Sequence, residues 1–204
     1  MAVAENVKIT KRAQLIDTAI RLFGRNGFHA TGIDTILKEA GVAKMTLYNH
    51  FKSKDELILA ALRRRDERWR QWFREAVESR SESPRGRLLA VFDVLEAWVE
   101  GPDFRGCLFV KAASEYADRD HPIHVAAAEH QRLVLAYLRS LATAAKAARP
   151  AKLARELLLL IEGATVVSHI NGPVGAAKQA RLVAKTLIAQ ALPETERRDA
   201  RSSA

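Results

Sequence analysis

TGIDTILKEAGVAKMTLYNHF, residues 31–51, decides the fold. Ile33, Ile36, Leu37 and Ala40 recur at i, i+3, i+4 and i+7, so they form one apolar stripe on a short helix. Thr31 stands where its hydroxyl would cap that helix. Gly41 allows a tight turn, and Val42 is placed to plug the angle behind it. A second short helix starts near Ala43, with Leu47 and Phe51 on the same inward face as Ala43. Met45 and Asn49 then point away from that face, with Lys44, Thr46 and Tyr48 on its shoulders.

The outward face therefore carries a cation, a hydroxyl, an amide, a phenol and a thioether, and no carboxylate. Asn pairs bidentately with adenine, Lys reaches guanine or phosphate, and apolar groups meet thymine methyls. Two helices joined by a Gly turn form a helix-turn-helix whose second helix reads base edges. The same spacing also fits an ordinary helical hairpin with a solvated polar face.

Outside this stretch, Thr10 is placed to cap a helix over residues 11–26, with Leu15, Ala19, Leu22 and Phe23 on one stripe. Ser53 and Glu56 form a capping box that opens a long connector helix reaching about Ser79. Lys52 and Lys54 stand at its start, within reach of backbone phosphate. Arg63, Arg64, Arg65, Arg68 and Arg70 alternate with acids further along and read as a solvated face.

The motif AGVAKMTLYNHFKSKDEL, residues 40–57, resembles the signature of the tetracycline-repressor (TetR) family of transcriptional regulators. Phe23, Gly27 and Thr31 extend the likeness upstream, so it covers residues 9–69. The resemblance implies a DNA-binding domain over residues 9–69, with the helix-turn-helix at about 32–51. It implies a helical ligand-binding and dimerisation domain over residues 70–193. The DNA-contacting set it implies is Thr31, Lys44, Met45, Thr46, Tyr48, Asn49, His50 and Lys54. The partners are a palindromic double-stranded operator, a second copy of the chain and a small-molecule effector of unknown identity. A small residue is common in the family where this chain has Met45. That side chain either presses on a thymine methyl or alters specificity in another way.

Composition agrees with an all-α globular protein. The chain has 204 residues, 48% hydrophobic, with a formal net charge of +9 that suits a polyanionic partner. A single cysteine, Cys107, excludes an internal disulfide and fits a reducing cytoplasm. No apolar run suits a membrane span or a signal peptide. Residues 1–7 read as a loose arm, and the tail after Pro193 as polar and disordered. Pro84, Pro122 and Pro150 stand at helix starts, and Gly101-Pro102 and Gly172-Pro173 at breaks.

Leu157 to Ile161 reads LLLLI, apolar around nearly the whole helix, so it is expected to be buried on both sides. Leu157, Leu160, Ile161, Ala164 and Val167, with Val183 and Leu187 of the last helix, form the expected four-helix dimer interface. A central core helix in a monomer fits the same spacing. Phe92, Trp98, Phe109 and Tyr116, with polar His130, Tyr137 and His169, form the expected effector pocket. Taken one by one they read first as core aromatics with satisfied polar atoms, and the pocket is mainly what the resemblance implies. The connector helix is expected to carry the coupling between the two domains.

His121 and His124 lack a second pair of strong ligands, so no metal or other cofactor is expected. The chain has no Gly-rich phosphate loop, no nucleophile elbow and no carboxylate pair with a matching base, which argues against an enzyme. Two other readings remain: a sequence-indifferent architectural DNA binder, and a helical enzyme or carrier that is merely basic.

Overall fold

The computed structural model describes residues 10–193, so the N-terminal arm and the tail after Pro193 lie outside it. Nine helices appear among the described residues: α1 (Lys11–Asn26), α2 (Ile33–Ala40), α3 (Lys44–His50), α4 (Lys54–Glu78), α5 (Pro84–Val99), α6 (Leu108–Glu115), α7 (Pro122–Ala144), α8 (Pro150–Asn171) and α9 (Ala176–Ala191). No strand occurs among these residues.

The chain forms two compact units. The first holds α1–α3, α4 as far as Glu67, and Leu108–Ala128. The second holds Arg68–Cys107 and the chain from Glu129 onward. This division differs from the expected single cut near residue 69, because α6 and the start of α7 group with the helix-turn-helix. The connector α4 is therefore not the sole covalent link between the units. The chain also crosses between Cys107 and Leu108 and between Ala128 and Glu129.

The first unit is built on a small apolar core. Leu15, Ala19 and Phe23 of α1, Ile36 of α2, Leu47 of α3, and Leu57 and Ile58 of α4 are fully buried. Each of the Leu, Ile and Phe side chains contributes roughly 1.5–3 kcal/mol from leaving water, enough for three short helices that would not persist alone. The Phe28 ring stacks on Phe23 at 4.9 Å and closes the core beneath the α1–α2 turn. Thr10 caps α1 as expected, its hydroxyl accepting from the N–H of Ala13 at 3.2 Å.

In the second unit α5, α8 and α9 pack on one another. Val91, Phe92 and Leu95 of α5, Leu157 and Ile161 of α8, and Ala184 and Ile188 of α9 share one core. The buried face of α9 is mostly alanine, namely Ala177, Ala180 and Ala184, which allows its backbone to approach α8 and α5 closely.

Candidate nucleic-acid interface and effector half

The turn between α2 and α3 is a Schellman motif. Gly41 lies in the left-handed region at φ 59°, and its N–H donates to Lys38 O at 3.3 Å. The N–H of Val42 donates to Leu37 O at 3.1 Å, and the Val42 side chain is buried in the angle. The backbone bonds of the turn, the buried Val42 side chain and the bond that Gln14 Nε2 donates to Ala40 O at 2.7 Å together set the course into α3. Leu47 and Phe51 anchor α3 inward, but Ala43 is its exposed N-cap residue rather than part of the apolar face. The guanidinium of Arg12 lies over the Phe51 ring, 5.2 Å from its centroid, and holds the end of α3 against α1.

Met45 is 74% exposed and Tyr48 47% exposed, and Lys44, Asn49 and His50 are exposed beside them. Thr46 is half-buried on the shoulder. A single exposed apolar side chain is ordinary on a protein surface, so Met45 takes its meaning from the amide, cation and phenol that share its helix face.

Two members of the expected DNA-contacting set are placed differently. Thr31 is 1% exposed, and Gly32, not Thr31, is the N-cap residue of α2. The Thr31 hydroxyl points back and donates to Gly27 O at 2.6 Å, so it ties the α1–α2 turn together. Lys54 is half-buried, and its ammonium donates to His29 O at 3.4 Å. The capping box at the start of α4 forms with a shift. Ser53 Oγ accepts from Glu56 N at 3.1 Å, and the Glu56 carboxylate accepts from Lys52 N at 2.7 Å rather than from the cap residue itself.

The α1–α2 turn is held from α6. One carboxylate oxygen of Glu115 accepts from Phe28 N at 2.9 Å and the other from His29 N at 2.6 Å. The His29 ring meets Glu115 O at 3.0 Å through Nε2. Lys111 Nζ donates to Gly24 O at 2.7 Å. Gly27, at φ 86°, lies so close that an added Cβ would stand 2.7 Å from Glu115 Oε1. Tyr116 packs against both His29 and His121, with centroids 4.8 Å from each and the rings tilted by 31° and 32°. These contacts explain why α6 belongs to the first unit. Arg64, expected on a solvated face, instead pairs with Asp17 of α1 at 2.8 Å.

The expected effector pocket divides. Phe109 and Tyr116 lie in the first unit and are not part of any site in the second. Phe92 is fully buried in the core of the second unit. Trp98, His130, Tyr137 and His169 do belong to one run of rings, and its centre is a residue the sequence reading left out. Trp69 stacks on Phe73 at 4.7 Å and meets Trp98 at 5.7 Å and His130 at 5.4 Å, both edge-on. The run continues from Phe73 to Tyr137 at 6.2 Å, from Trp98 to Phe104 at 5.0 Å, and from Phe104 to His169 at 6.3 Å. The signal for Trp69 and Phe73 was their i, i+4 spacing, hidden inside the arginine-rich run. A separate cleft of about 200 Å³, lined by Arg149, Lys152, Glu156 and Gln190 among others, contains none of the expected pocket residues.

The expected interface also divides. Leu157, Ile161 and Ala164 are buried in the subunit's own core, so they have no area left to give to a second copy. Leu160 and Leu187 are half-buried. Val167 and Val183 are exposed, and so are Ile170 and Leu182 on the same two helices. Leu159, in the middle of the LLLLI run, is 73% exposed, which settles which side of that run faces inward.

Among the described residues no three His, Cys, Asp or Glu side chains cluster as a metal site would require, and no helix is long and apolar enough to cross a membrane. A rigidly held short helix that presents amide, cation, phenol and thioether outward, in a chain that also carries a separate helical unit, defines a helix-turn-helix DNA-binding regulator. Residues 15–61 match the bacterial regulatory proteins of the tetR family, and residues 84–183 match the tetracyclin repressor-like C-terminal domain. The chain is 32% identical to SCO4454, a TetR-family transcriptional regulator from Streptomyces coelicolor, over 90% of this chain and 96% of that one, with a TM-score of 0.83. It is 30% identical to the transcriptional repressor NemR of Escherichia coli over 62% of this chain and 64% of that protein. It is 38% identical to the transcriptional activator FasR of Mycolicibacterium smegmatis over 44% of this chain and 41% of that protein. The chain belongs to the TetR family of DNA-binding transcriptional regulators. Regulators of this family act as dimers and respond to small-molecule effectors.

Proposed function

We propose that the protein is a cytoplasmic, dimeric repressor that binds a palindromic operator through α3 and leaves it when a small molecule occupies the second unit. The observation that carries this reading is the outward face of α3, where Met45 and Asn49 stand exposed on a helix fixed by the Gly41 turn. Asn49 and Met45 are assigned to base edges, Lys44 and Thr46 to bases or phosphate, and Tyr48 and His50 to phosphate. Lys54 is assigned to phosphate only in part, because its ammonium already serves the His29 carbonyl. Repression is favoured over activation because the likeness to NemR spans more of this chain than the likeness to FasR.

The exposed apolar side chains of α8 and α9, Val167, Ile170, Leu182 and Val183, are assigned to the dimer interface. Two copies joined there would form a four-helix contact and present two recognition helices to one palindrome. Release follows as a population shift: the effector favours a conformation whose recognition helices are mis-spaced for the operator. The test is selection of bound fragments from random duplex DNA. Enrichment of an inverted repeat supports the reading, and uniform recovery of all sequences overturns it.

A further inference from the structure

Three buried side-chain atoms of the second unit, Trp69 Nε1, Tyr137 Oη and Ser168 Oγ, have no hydrogen-bond partner. Orphaned buried polar groups cost free energy, and each calls for an explanation. Two of them lie in the same aromatic run, since Trp69 and Tyr137 both touch Phe73. Indole N–H is a donor only. Burial, with the Glu78 carboxylate nearby, pushes the Tyr137 phenol up to about 12, so it keeps its proton and its capacity to donate at neutral pH.

We propose that the rings of Trp69, Phe73, Trp98 and Tyr137 form a binding site for a neutral aromatic molecule bearing a carbonyl or similar acceptor, which takes the unused N–H of Trp69 and O–H of Tyr137. This rests on the second unit being the effector half. The chemistry excludes the other charge classes. A cation offers no acceptor to either donor. A carboxylate offers one, and the Arg74 guanidinium 5.5 Å over the Tyr137 ring would attract it, but the Glu78 carboxylate acts on the same phenol more strongly than Arg74 or Arg87, and losing hydration among four aromatic rings adds to that cost. A flat hydrocarbon fits the rings and leaves both donors orphaned. A neutral ketone satisfies both demands, because offset or edge-on ring contacts add to the area buried.

The sequence contains three tryptophans, Trp69, Trp72 and Trp98, and all lie in the second unit, so indole emission reports on this site and not on the helix-turn-helix. The full chain is titrated with benzophenone, diphenylmethane, protonated benzhydrylamine and 4-benzoylbenzoate, with calorimetry and indole quenching as readouts. Benzophenone is expected to bind about tenfold more tightly than diphenylmethane, about threefold from each of the two hydrogen bonds. In Trp69→Phe, with its helical signal intact by circular dichroism, that preference falls to about threefold, the share of the remaining Tyr137 donor, while diphenylmethane binding stays near the parent value. Tyr137→Phe keeps the ring and removes the second donor, and is expected to act in the same direction. Equal binding of ketone and hydrocarbon, preference for the amine or the carboxylate, an unchanged preference in both variants, or no binding of any probe overturns the proposal. A chain that enriches an inverted repeat and yet fails these titrations remains a regulator and loses only this ligand assignment.

Discussion

The carboxylate of Glu115 holds the backbone N–H of His29 at 2.6 Å, joining the last residue of α6 to the turn between α1 and α2. The same carboxylate accepts from Phe28, so removing it orphans two N–H groups at once. Glu115→Ala is expected to destabilise the first unit by roughly 1–3 kcal/mol and to weaken operator binding, with Glu115→Gln intermediate. Chemical denaturation alongside operator affinity checks this. Unchanged values in both would show that the contact contributes nothing.

Gly41 and Gly27 both have positive φ, but their surroundings differ. A Cβ at Gly41 meets nothing within 4 Å, so Gly41→Ala is expected to cost only the left-handed backbone penalty, about 1 kcal/mol. A Cβ at Gly27 collides with Glu115, so Gly27→Ala is expected to cost clearly more. Thermal unfolding of the two variants gives the order, and a reversed order would contradict the packing described.

Asn49→Ala is expected to weaken binding to the selected operator by roughly 1–3 kcal/mol and to relax preference at one base position. Lys54→Ala is expected to weaken all sequences alike and to lower the salt dependence of binding. A panel of operators with single base changes, measured at two salt concentrations, separates the two. Identical profiles for both variants would refute the division into base and phosphate contacts.

Val183→Glu introduces a charge where the side chain is 49% exposed, whereas Leu157→Glu introduces one at a position with no exposure. The first is expected to give a folded monomer with little operator affinity, and the second an unfolded chain. Sedimentation and circular dichroism distinguish them. A dimeric Val183→Glu protein would move the interface elsewhere.

Tyr116 and Tyr137 are both raised from the usual 10.0 to about 12, mainly by burial and then by the carboxylates of Asp55 and Glu115 for Tyr116 and of Glu78 for Tyr137. Their protons are held more tightly in the folded state than in the unfolded chain. Stability from this source is therefore complete below about pH 10 and is lost as pH rises toward about 12. Denaturation midpoints measured across that window should fall, and less so in Tyr137→Phe.

Much of this was legible in the sequence, and the failures have physical causes. Leu47 inward and Met45 outward follow from helical rotation over one turn, which no distant contact can alter. Thr31 was misplaced because capping rules do not distinguish a hydroxyl that turns forward to α2 from one that turns back to Gly27. The four leucines before Ile161 have no phase, so only packing could separate buried Leu157 from exposed Leu159. Trp69 was hidden because arginines dominate its neighbourhood. The allegiance of α6 depends on Glu115 meeting residues far earlier in the chain, a pairing that no local periodicity encodes.

The placement of Leu108–Ala128 with the helix-turn-helix bears on any attempt to exchange reading heads between regulators. A single splice after α4 would carry Phe28 and His29 into the hybrid and leave Glu115 behind with the donor scaffold. The transplanted head would arrive with a loosened first turn, so a working chimera needs two grafts, one of them from the middle of the chain.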